Sequence, residues 1–302
     1  MASLRDLRSR IKSVGNIKQI TRAMEMVATT KLRRFQDRAV ASRPYAQEIA
    51  QLLSRLSAAM GDKLAGRPLF NAGSGKAIAL LVVGSDRGLC GSYNSQLFAK
   101  LERWLAEHPG QDVRLFVVGR RAYQYVTKRG LVVERYLAEP PLEKLDYRLA
   151  KFTARTLTEA FLSGTYREVA VLYTAFESMA KYVPTVVPLL PVQAAKRDDK
   201  AGAKSSASSV TAGSGADAIL EPDIETLLEK LVPRYLETRV YNALLEALTS
   251  EFASRRMAMK NATDAATDMQ ALLKGVYNRK RQEGITKDLL DIVGGAEAVR
   301  GK

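Results

Sequence analysis

The segment RSRIKSVGNIKQITRAMEMVATTKLRR, residues 8–34, repeats apolar side chains at intervals of three and four residues. This spacing places them on one side of an α-helix. The pattern runs over residues 3–57, and its apolar members are Leu4, Leu7, Ile11, Val14, Ile17, Ile20, Met24, Val27, Leu32 and Phe35. Because the stripe is too narrow for a globular-core helix, it predicts a coiled-coil seam over an N-terminal segment of residues 1–57.

The polar side of this helix is strongly basic, and the whole chain carries a formal charge of +15. Such a balance indicates a polyanionic partner: nucleic acid, an acidic membrane surface or an acidic protein. Helices that bind nucleic acid usually accompany a reading module or stacking aromatic residues. This helix has only Phe35 and Tyr45. A basic coiled-coil protein that binds nucleic acid therefore stays open as an alternative.

Residues 77–192 alternate short β-branched runs with helical patterns. The runs are residues 77–84, 113–119, 131–137 and 168–174, and helices are predicted at about 94–107, 120–129 and 145–163. Continuous apolar strands between helices predict a small Rossmann-like α/β domain with a mainly parallel sheet. Three prolines, at 184, 188 and 191, are expected to close this domain, and residues 193–220 are expected to form a flexible loop.

Residues 221–302 return to a helical pattern that begins at Glu221-Pro222-Asp223. At 1.5 Å per residue the first helix would reach about 80 Å and the last about 115 Å, whereas the central domain is only roughly 30–40 Å across. We therefore expect both helices to protrude and to pair as an antiparallel coiled coil. The tip of the last helix should extend alone into an apolar sleeve, through Leu289, Leu290, Ile292 and Val293.

Sites for catalysis, cofactors and metals are not expected. The chain has one cysteine, Cys90, and one histidine, His108, so no Cys/His or Ser/His/Asp set and no structural zinc site can be assembled. The GSGK segment at 73–76 lacks the flanking residues of a phosphate loop and precedes its strand. The glycine-rich segment 84–91 follows a strand but does not have dinucleotide-binding spacing, so tight turns are the favoured interpretation.

Several long motifs resemble the gamma subunit family of rotary ATP synthases. They are residues 8–34 with SRPYA (42–46), SDRGLCGSYN (85–94), EPD (221–223), residues 235–265, and YNRKRQEGITKDLLDIVGGAEAV (277–299). The resemblance implies a non-catalytic central-stalk rotor subunit that transmits rotation of the membrane c-ring to the catalytic ring. Its partners would be three alpha and three beta subunits, the epsilon subunit and the c-ring, with no cofactor and no nucleic acid.

The resemblance also assigns roles to individual residues. Contacts with beta would come from Met24, Arg33, Arg34, Arg255, Arg281, Gln282 and Thr286. Leu289, Leu290, Ile292 and Val293 would form the bearing tip, and Glu221 would contact the c-ring at the foot. The N-terminus lacks the apolar run of a signal peptide, and no apolar stretch is long enough to span a bilayer. Together with these features, the resemblance implies a peripheral location on the cytoplasmic side of a bacterial plasma (inner) membrane. Besides a rotor subunit and a coiled-coil protein that binds nucleic acid, a third hypothesis is an α/β enzyme with helical arms.

Overall fold

The computed structural model describes residues 3–137, 140–179, 181–192 and 223–300. Its helices and strands follow one another in the order α1 (Leu4–Met60), β1 (Ala77–Val83), α2 (Tyr93–Ala106), β2 (Val113–Val118), α3 (Arg120–Lys128), β3 (Val133–Leu137), α4 (Tyr147–Leu162), β4 (Tyr166–Phe176), β5 (Tyr182–Leu190) and α5 (Ile224–Arg300). Among the described residues, no helix combines the length and the apolar character that a bilayer span requires.

Two compact units make up the chain. The first unit contains residues 1–31 and 252–302, and the second contains residues 32–251. The predicted division at 1–57, 77–192, 193–220 and 221–302 stays a proposal, as does the protrusion of the helices. The predicted flexible loop lies outside the described residues.

The second unit is built on a five-stranded sheet with the strand order β3-β2-β1-β4-β5. The pairs β1–β2, β1–β4 and β2–β3 are parallel, which confirms the predicted sheet. Every residue of the central strand β1 is buried. On one face, Ile78 and Leu80 of β1 belong to the same buried cluster as Leu97 and Leu101 of α2 and Val126 of α3.

The fifth strand was not predicted, because its prolines were interpreted as the end of the domain. Instead, Pro184 and Pro188 lie within β5 and pair in antiparallel register with Thr174 and Ala170 of β4. Proline lacks an N–H group, but an edge strand tolerates it because one side of that strand needs no sheet partner. β5 occupies such an edge.

The long helices also pack within the second unit. Ser42 of α1 donates a hydrogen bond to Asn242 of α5 at 3.1 Å. The Ser250 hydroxyl of α5 donates to the carbonyl of Thr174 in β4 at 3.0 Å. Tyr147 of α4 donates to the Glu237 carboxylate at 3.0 Å. These bonds fix α5 against the sheet and against α4.

In the first unit, the N-terminal part of α1 pairs with the C-terminal part of α5. Arg8 lies over the ring of Tyr277, and the Thr263 hydroxyl donates to the Thr21 hydroxyl at 2.8 Å. Between these contacts, Gly15 stands beside the Gln270 side chain. Partner numbers on α5 fall as those on α1 rise, so the two segments form the antiparallel coiled coil that the sequence predicted.

Candidate functional site

The coiled-coil seam is narrower and more polar than the sequence pattern indicated. Its buried and half-buried side chains follow steps of four and three residues. On α1 they are Leu7, Ile11, Val14, Lys18, Thr21, Glu25 and Ala28, and on α5 they are Met259, Thr263, Ala266, Gln270, Leu273 and Tyr277. This is the seven-residue repeat of a coiled coil. The middle of the seam therefore contains small and polar residues where an apolar stripe was expected.

Four apolar residues that we assigned to the seam lie outside it, which corrects the prediction. Ile17, Ile20, Met24 and Val27 are exposed by 52%, 58%, 37% and 55%. They repeat at steps of three and four residues, so they form a second stripe beside the first one. The sequence pattern was interpreted as one stripe because it counted apolar residues only. The seam residues Lys18, Thr21 and Glu25 are not apolar, so the exposed apolar residues beside them were assigned to the seam.

A matching stripe runs along α5, through Met269, Leu272 and Val276, which are exposed by 56%, 67% and 44%. On α1, Ile17 and Met24 each precede a seam residue by one position, and Met269 and Val276 do so on α5. In an antiparallel pair, these flanking positions of both helices lie on the same side of the seam. We call the seven exposed side chains together the apolar face: Ile17, Ile20, Met24, Val27, Met269, Leu272 and Val276.

Arg255 of α5 occupies the same position in the seven-residue repeat as Met269 and Val276. It is buried, at 7% exposure, and its guanidinium lies 4.9 Å from the centre of the Phe252 ring. Lys31 of α1 places its ammonium 5.4 Å from the same ring. Two cations therefore lie against one buried aromatic ring, and cation–π attraction stabilises this arrangement. Phe252 and Lys31 were not among the predicted site residues.

The C-terminal part of α5 extends past the end of its partner. The antiparallel register places Leu4, where α1 begins, opposite residue 281. Residues 282–300 of α5 therefore continue for about 28 Å beyond the described part of α1. This agrees with the predicted lone tip.

The side chains of this tip to which the resemblance assigned roles are exposed. Arg281, Gln282 and Thr286 are solvent-accessible. Leu289, Leu290, Ile292 and Val293 are exposed by 57%, 65%, 68% and 58%. At 100° per residue, Arg281, Gln282, Thr286, Leu289, Ile292 and Val293 share one side of the helix. The structure therefore brings three of the seven predicted beta contacts and three of the four predicted bearing residues onto one surface.

The remaining predicted contacts lie elsewhere. Arg33 and Arg34 are exposed on α1 in the second unit. Glu221, the predicted foot contact, lies outside the described residues.

The glycine-rich segment after β1 is closed by its own side chains. The Ser85 hydroxyl donates to the carbonyl of Arg87 at 2.8 Å, and the Asn94 amide donates to Ser85 at 2.7 Å. The Asp86 carboxylate accepts from the backbone N–H groups of Arg120 and Leu142 at 3.2 and 2.8 Å. These bonds hold three loops together, so the segment has a structural role.

The other residues with catalytic chemistry are also used structurally. Cys90 is buried, and the Asn94 amide lies 3.2 Å from its sulfur. His108 stacks on Trp104, and its Nδ1 lies 2.8 Å from the Trp104 carbonyl. A Cβ at Gly73 would stand 2.0 Å from the carbonyl oxygen of Tyr166, so the backbone at Gly73 packs directly against the start of β4. In the part of the chain that the structure describes, no group of acidic, His or Cys residues has the arrangement of a metal site.

Comparison with known proteins identifies the family. A family model described as ATP synthase matches residues 3–299. The ATP synthase gamma chain of Desulfotalea psychrophila is 37% identical and covers 99% of this chain and 100% of its own length. That of Mycolicibacterium smegmatis is 38% identical, with 99% of each chain covered.

Solved structures have the same fold. A chain of the Euglena gracilis mitochondrial ATP synthase, in a structure of its OSCP, F1 and c-ring, has a TM-score of 0.64 at 19% identity and covers 98% of this chain and 94% of its own length. A chain from the Tetrahymena thermophila mitochondrial central stalk and c-ring has a TM-score of 0.58 at 24% identity, with coverages of 80% and 99%. From the full-length similarity to the bacterial proteins, we conclude that the chain belongs to the ATP synthase gamma chain family.

Proposed function

We propose that this gamma chain couples rotation to catalysis through the apolar face of its coiled coil and the exposed tip of α5. Membership of the family makes the chain the central-stalk rotor subunit of an ATP synthase, a stalk component and not a catalytic subunit. What remains to be proposed is which of its surfaces transmit torque.

The observation that carries the proposal is the exposure of the seven side chains of the apolar face. The seam between α1 and α5 is already closed without them, so internal packing does not explain why they are apolar. A contiguous exposed apolar stripe indicates a protein-interaction surface. Alpha and beta subunits that surround the coiled coil would cover it, with Met24 as one of the contacts with beta.

Exposed basic groups of α1 suit an acidic partner. Arg33 and Arg34 are exposed and available to pair with carboxylates of beta. Arg255 is buried, so we propose that it acts mainly by holding Phe252 in place. Opposite charges on two surfaces raise the association rate and fix the register more than they raise affinity.

The tip would act as a bearing and as a grip on beta. Arg281, Gln282 and Thr286 would hold loops of beta, and Leu289, Leu290, Ile292 and Val293 would turn within an apolar sleeve. Four exposed apolar side chains on a lone helix favour such a sleeve over water. The apolar contact of the bearing has no hydrogen bonds that a rotation would have to break.

Rotation changes nucleotide affinity only if the contacts of the shaft differ between states of beta. The apolar face lies on one side of the coiled coil, so each beta subunit would meet it only during part of a turn.

One charge that crosses 100 mV releases about 2.3 kcal/mol, so several protons must contribute to each ATP.

The chain would also contact the epsilon subunit and the c-ring, and Glu221 remains our proposed contact with the c-ring. Membrane association would be indirect, through the c-ring, on the cytoplasmic side of a bacterial plasma membrane. Three alpha, three beta and one gamma subunit form the catalytic assembly in this proposal.

Reconstitution tests the proposal. Purified chain mixed with alpha and beta subunits should give a 3:3:1 complex with cooperative ATPase activity, measured by mass photometry and by initial rates. A variant with Ile17, Ile20 and Met24 replaced by Ser should assemble less readily or lose cooperativity. Unchanged assembly and cooperativity would reject the apolar face as the coupling surface.

A further inference from the structure

An apolar cavity of about 270 Å³ lies in the second unit, between the segment that follows α1, the end of α4 and the start of α5. The segment after α1 contributes Pro68 and Phe70, α4 contributes Leu162, and α5 contributes Leu228 and Val232. Seven of the nine lining residues are apolar. Cavities of this character are the usual binding sites of small molecules. Neither the apolar face nor the tip includes this cavity.

The two charged residues of the lining, Arg67 and Glu229, are paired with each other. Arg67 contacts the Glu229 carboxylate at 3.0 Å and that of Glu225 at 3.2 Å. Both carboxylate side chains are more than half exposed, so water solvates them as well. A charged ligand would lose hydration on entering the cavity and would find no buried charge to pair with. The lining therefore selects an uncharged ligand.

The volume of the cavity limits the occupant further. One turn of helix, about 10 Å wide and 5.4 Å long, fills roughly 400 Å³, so the cavity cannot enclose a helix of a partner protein. A buried water needs about two to four polar partners, which an apolar lining does not supply. An apolar cavity of about 150 Å³ holds benzene, so this one accommodates a compact molecule of one or two rings.

The cavity lies beside an interruption in the hydrogen bonding of α5. Pro233 lies inside this helix and has no N–H group, so it donates no helical hydrogen bond to the carbonyl of Glu229. The two turns before Pro233 contribute Leu228 and Val232 to the cavity, and both side chains are buried. A ligand that packs on them and on Phe70 would stabilise the start of α5 at the point where its own backbone bonding is interrupted.

We propose that this cavity binds a neutral apolar molecule of one or two fused rings. The ring system packs on Phe70, Leu162, Leu228 and Val232, and the ion pairs of Arg67 stay intact. The ligand contacts α4, α5 and the segment after α1 together, so its binding stabilises the second unit. This site is independent of the proposed coupling surfaces.

A ligand-detected NMR titration of the full-length chain tests the site, with quinoline as the neutral probe and N-methylquinolinium as a cation of similar shape. At neutral pH quinoline should bind saturably, with a dissociation constant on the order of 1 mM. The cation should bind at least about tenfold more weakly, because its ring charge would lose hydration. Equal binding of the two compounds, or no saturation by quinoline, would overturn the proposal.

The basic charge of the chain, +15, requires an anion as a further control, since it repels any cation. 2-Naphthoate has a similar ring system and the opposite charge, and it should also bind more weakly than quinoline. Binding of 2-naphthoate as tight as that of quinoline would show that the cavity does not select an uncharged ligand, and it would contradict the proposal.

Hydrogen exchange measured by mass spectrometry locates the ligand on the backbone. Saturating quinoline should slow amide exchange in residues 224–232 of α5, because the ligand holds these turns against the rest of the second unit. Residues 235–248, after Pro233, should exchange as before. Saturable binding without slower exchange in residues 224–232 would place the ligand elsewhere and reject the cavity as the site.

Two matched variants test the lining itself. Leu162 is exposed by 52%, and Leu162→Trp should fill the cavity from this position and abolish quinoline binding. Leu52→Trp, at a position of α1 that is exposed by 46% and lies outside the lining, should bind as the parent chain does. Both positions are exposed, so both variants should fold, which circular dichroism checks. If Leu162→Trp does not fold, Pro68→Trp fills the cavity from the opposite element. Quinoline binding that survives a folded filling variant would show that the cavity is not the site.

Discussion

The Thr263 hydroxyl on α5 donates a hydrogen bond to the Thr21 hydroxyl on α1 at 2.8 Å, in the middle of the coiled-coil seam. Each hydroxyl also lies near a carbonyl of its own helix, that of Lys18 for Thr21 and that of Met259 for Thr263. A polar layer inside a seam specifies the register and costs some stability. A rotor whose two helices must not slip past each other benefits from such a layer.

The first prediction concerns this pair. Thr21→Val and Thr263→Val should each lower the free energy of unfolding by roughly 0.5–1 kcal/mol, since each removes the interhelical bond. The double variant should lose no more than either single variant, because two valines pack without an unpaired hydroxyl. Urea denaturation of the four proteins measures the coupling, and additive losses would mean that the bond contributes nothing.

The apolar face should matter for coupling and hardly at all for folding. Ile20→Gln should change the unfolding free energy of the isolated chain by at most about 0.5 kcal/mol, as expected for an exposed position. In the assembled enzyme it should lower the rate of ATP synthesis severalfold. Met26→Gln is the matched control, because Met26 is equally exposed, at 60%, but lies off this face. Equal effects of the two substitutions would remove the reason for singling out the face.

Changes at the tip should distinguish its two proposed roles, which are contact with loops of beta and placement of the end of α5 in an apolar sleeve. Deletion of residues 294–302 should reduce torque only slightly, because the residues of the proposed grip remain. Arg281→Ala combined with Gln282→Ala should reduce torque and coupled synthesis strongly. Both side chains are exposed, so their loss should leave the fold intact. Single-molecule torque measurements on the reconstituted complex compare the two variants. A larger loss from the deletion would reverse our assignment.

Two glycines of the second unit provide a test of the sheet packing. Gly119 has a φ of +96°, and a Cβ there would stand 2.3 Å from the carbonyl oxygen of Gly84. Gly110 has a φ of +75° with no atom within 4 Å of the added Cβ. Gly110→Ala should therefore cost about 1 kcal/mol of backbone strain, whereas Gly119→Ala should cost several kcal/mol. Thermal unfolding of both variants measures the difference in stability. Similar losses of stability would show that the backbone at Gly84 can move away from the new Cβ.

Glu246 gives the stability of the second unit a pH dependence. Burial raises its pKa above the ordinary value of 4.5, so the folded chain binds this proton more tightly than the unfolded chain. The contribution of Glu246 is then most favourable below pH 4.5 and declines as the pH rises through the raised pKa. Glu246→Gln should remove this penalty, by about 1.4 kcal/mol for each pKa unit of the shift.

The measurement is the free energy of unfolding of the Gln variant minus that of the parent chain, at neutral pH and near pH 4.5. The difference should favour the variant more at neutral pH than at acidic pH. Glu159→Gln, at an exposed position of α4, is the matched control and should show no such trend. A difference that does not change with pH would mean that the Glu246 carboxylate is as well solvated in the folded chain as in the unfolded one.

Periodicity and β-branched runs were enough to predict the long helices and the four parallel strands, because these features depend on local spacing. They did not predict β5, since Pro184 and Pro188 are compatible with a strand only at a sheet edge, and edge position is a property of the whole sheet. The apolar face was missed for a similar reason. Ile20 and Thr21 are neighbours in sequence, and only the pairing with Thr263 shows which of them enters the seam.

Rotation of the chain inside the assembled catalytic ring tests the central claim most directly. The chain carries one natural cysteine, the buried Cys90, so a cysteine introduced at the exposed Leu162 of α4 allows a bead or gold rod to be attached selectively. With ATP supplied, the probe should turn in one direction with three main pauses per revolution. Triple replacement of Ile17, Ile20 and Met24 by Ser should shorten or abolish these runs. A complex that hydrolyses ATP cooperatively while the probe stays still would contradict the account.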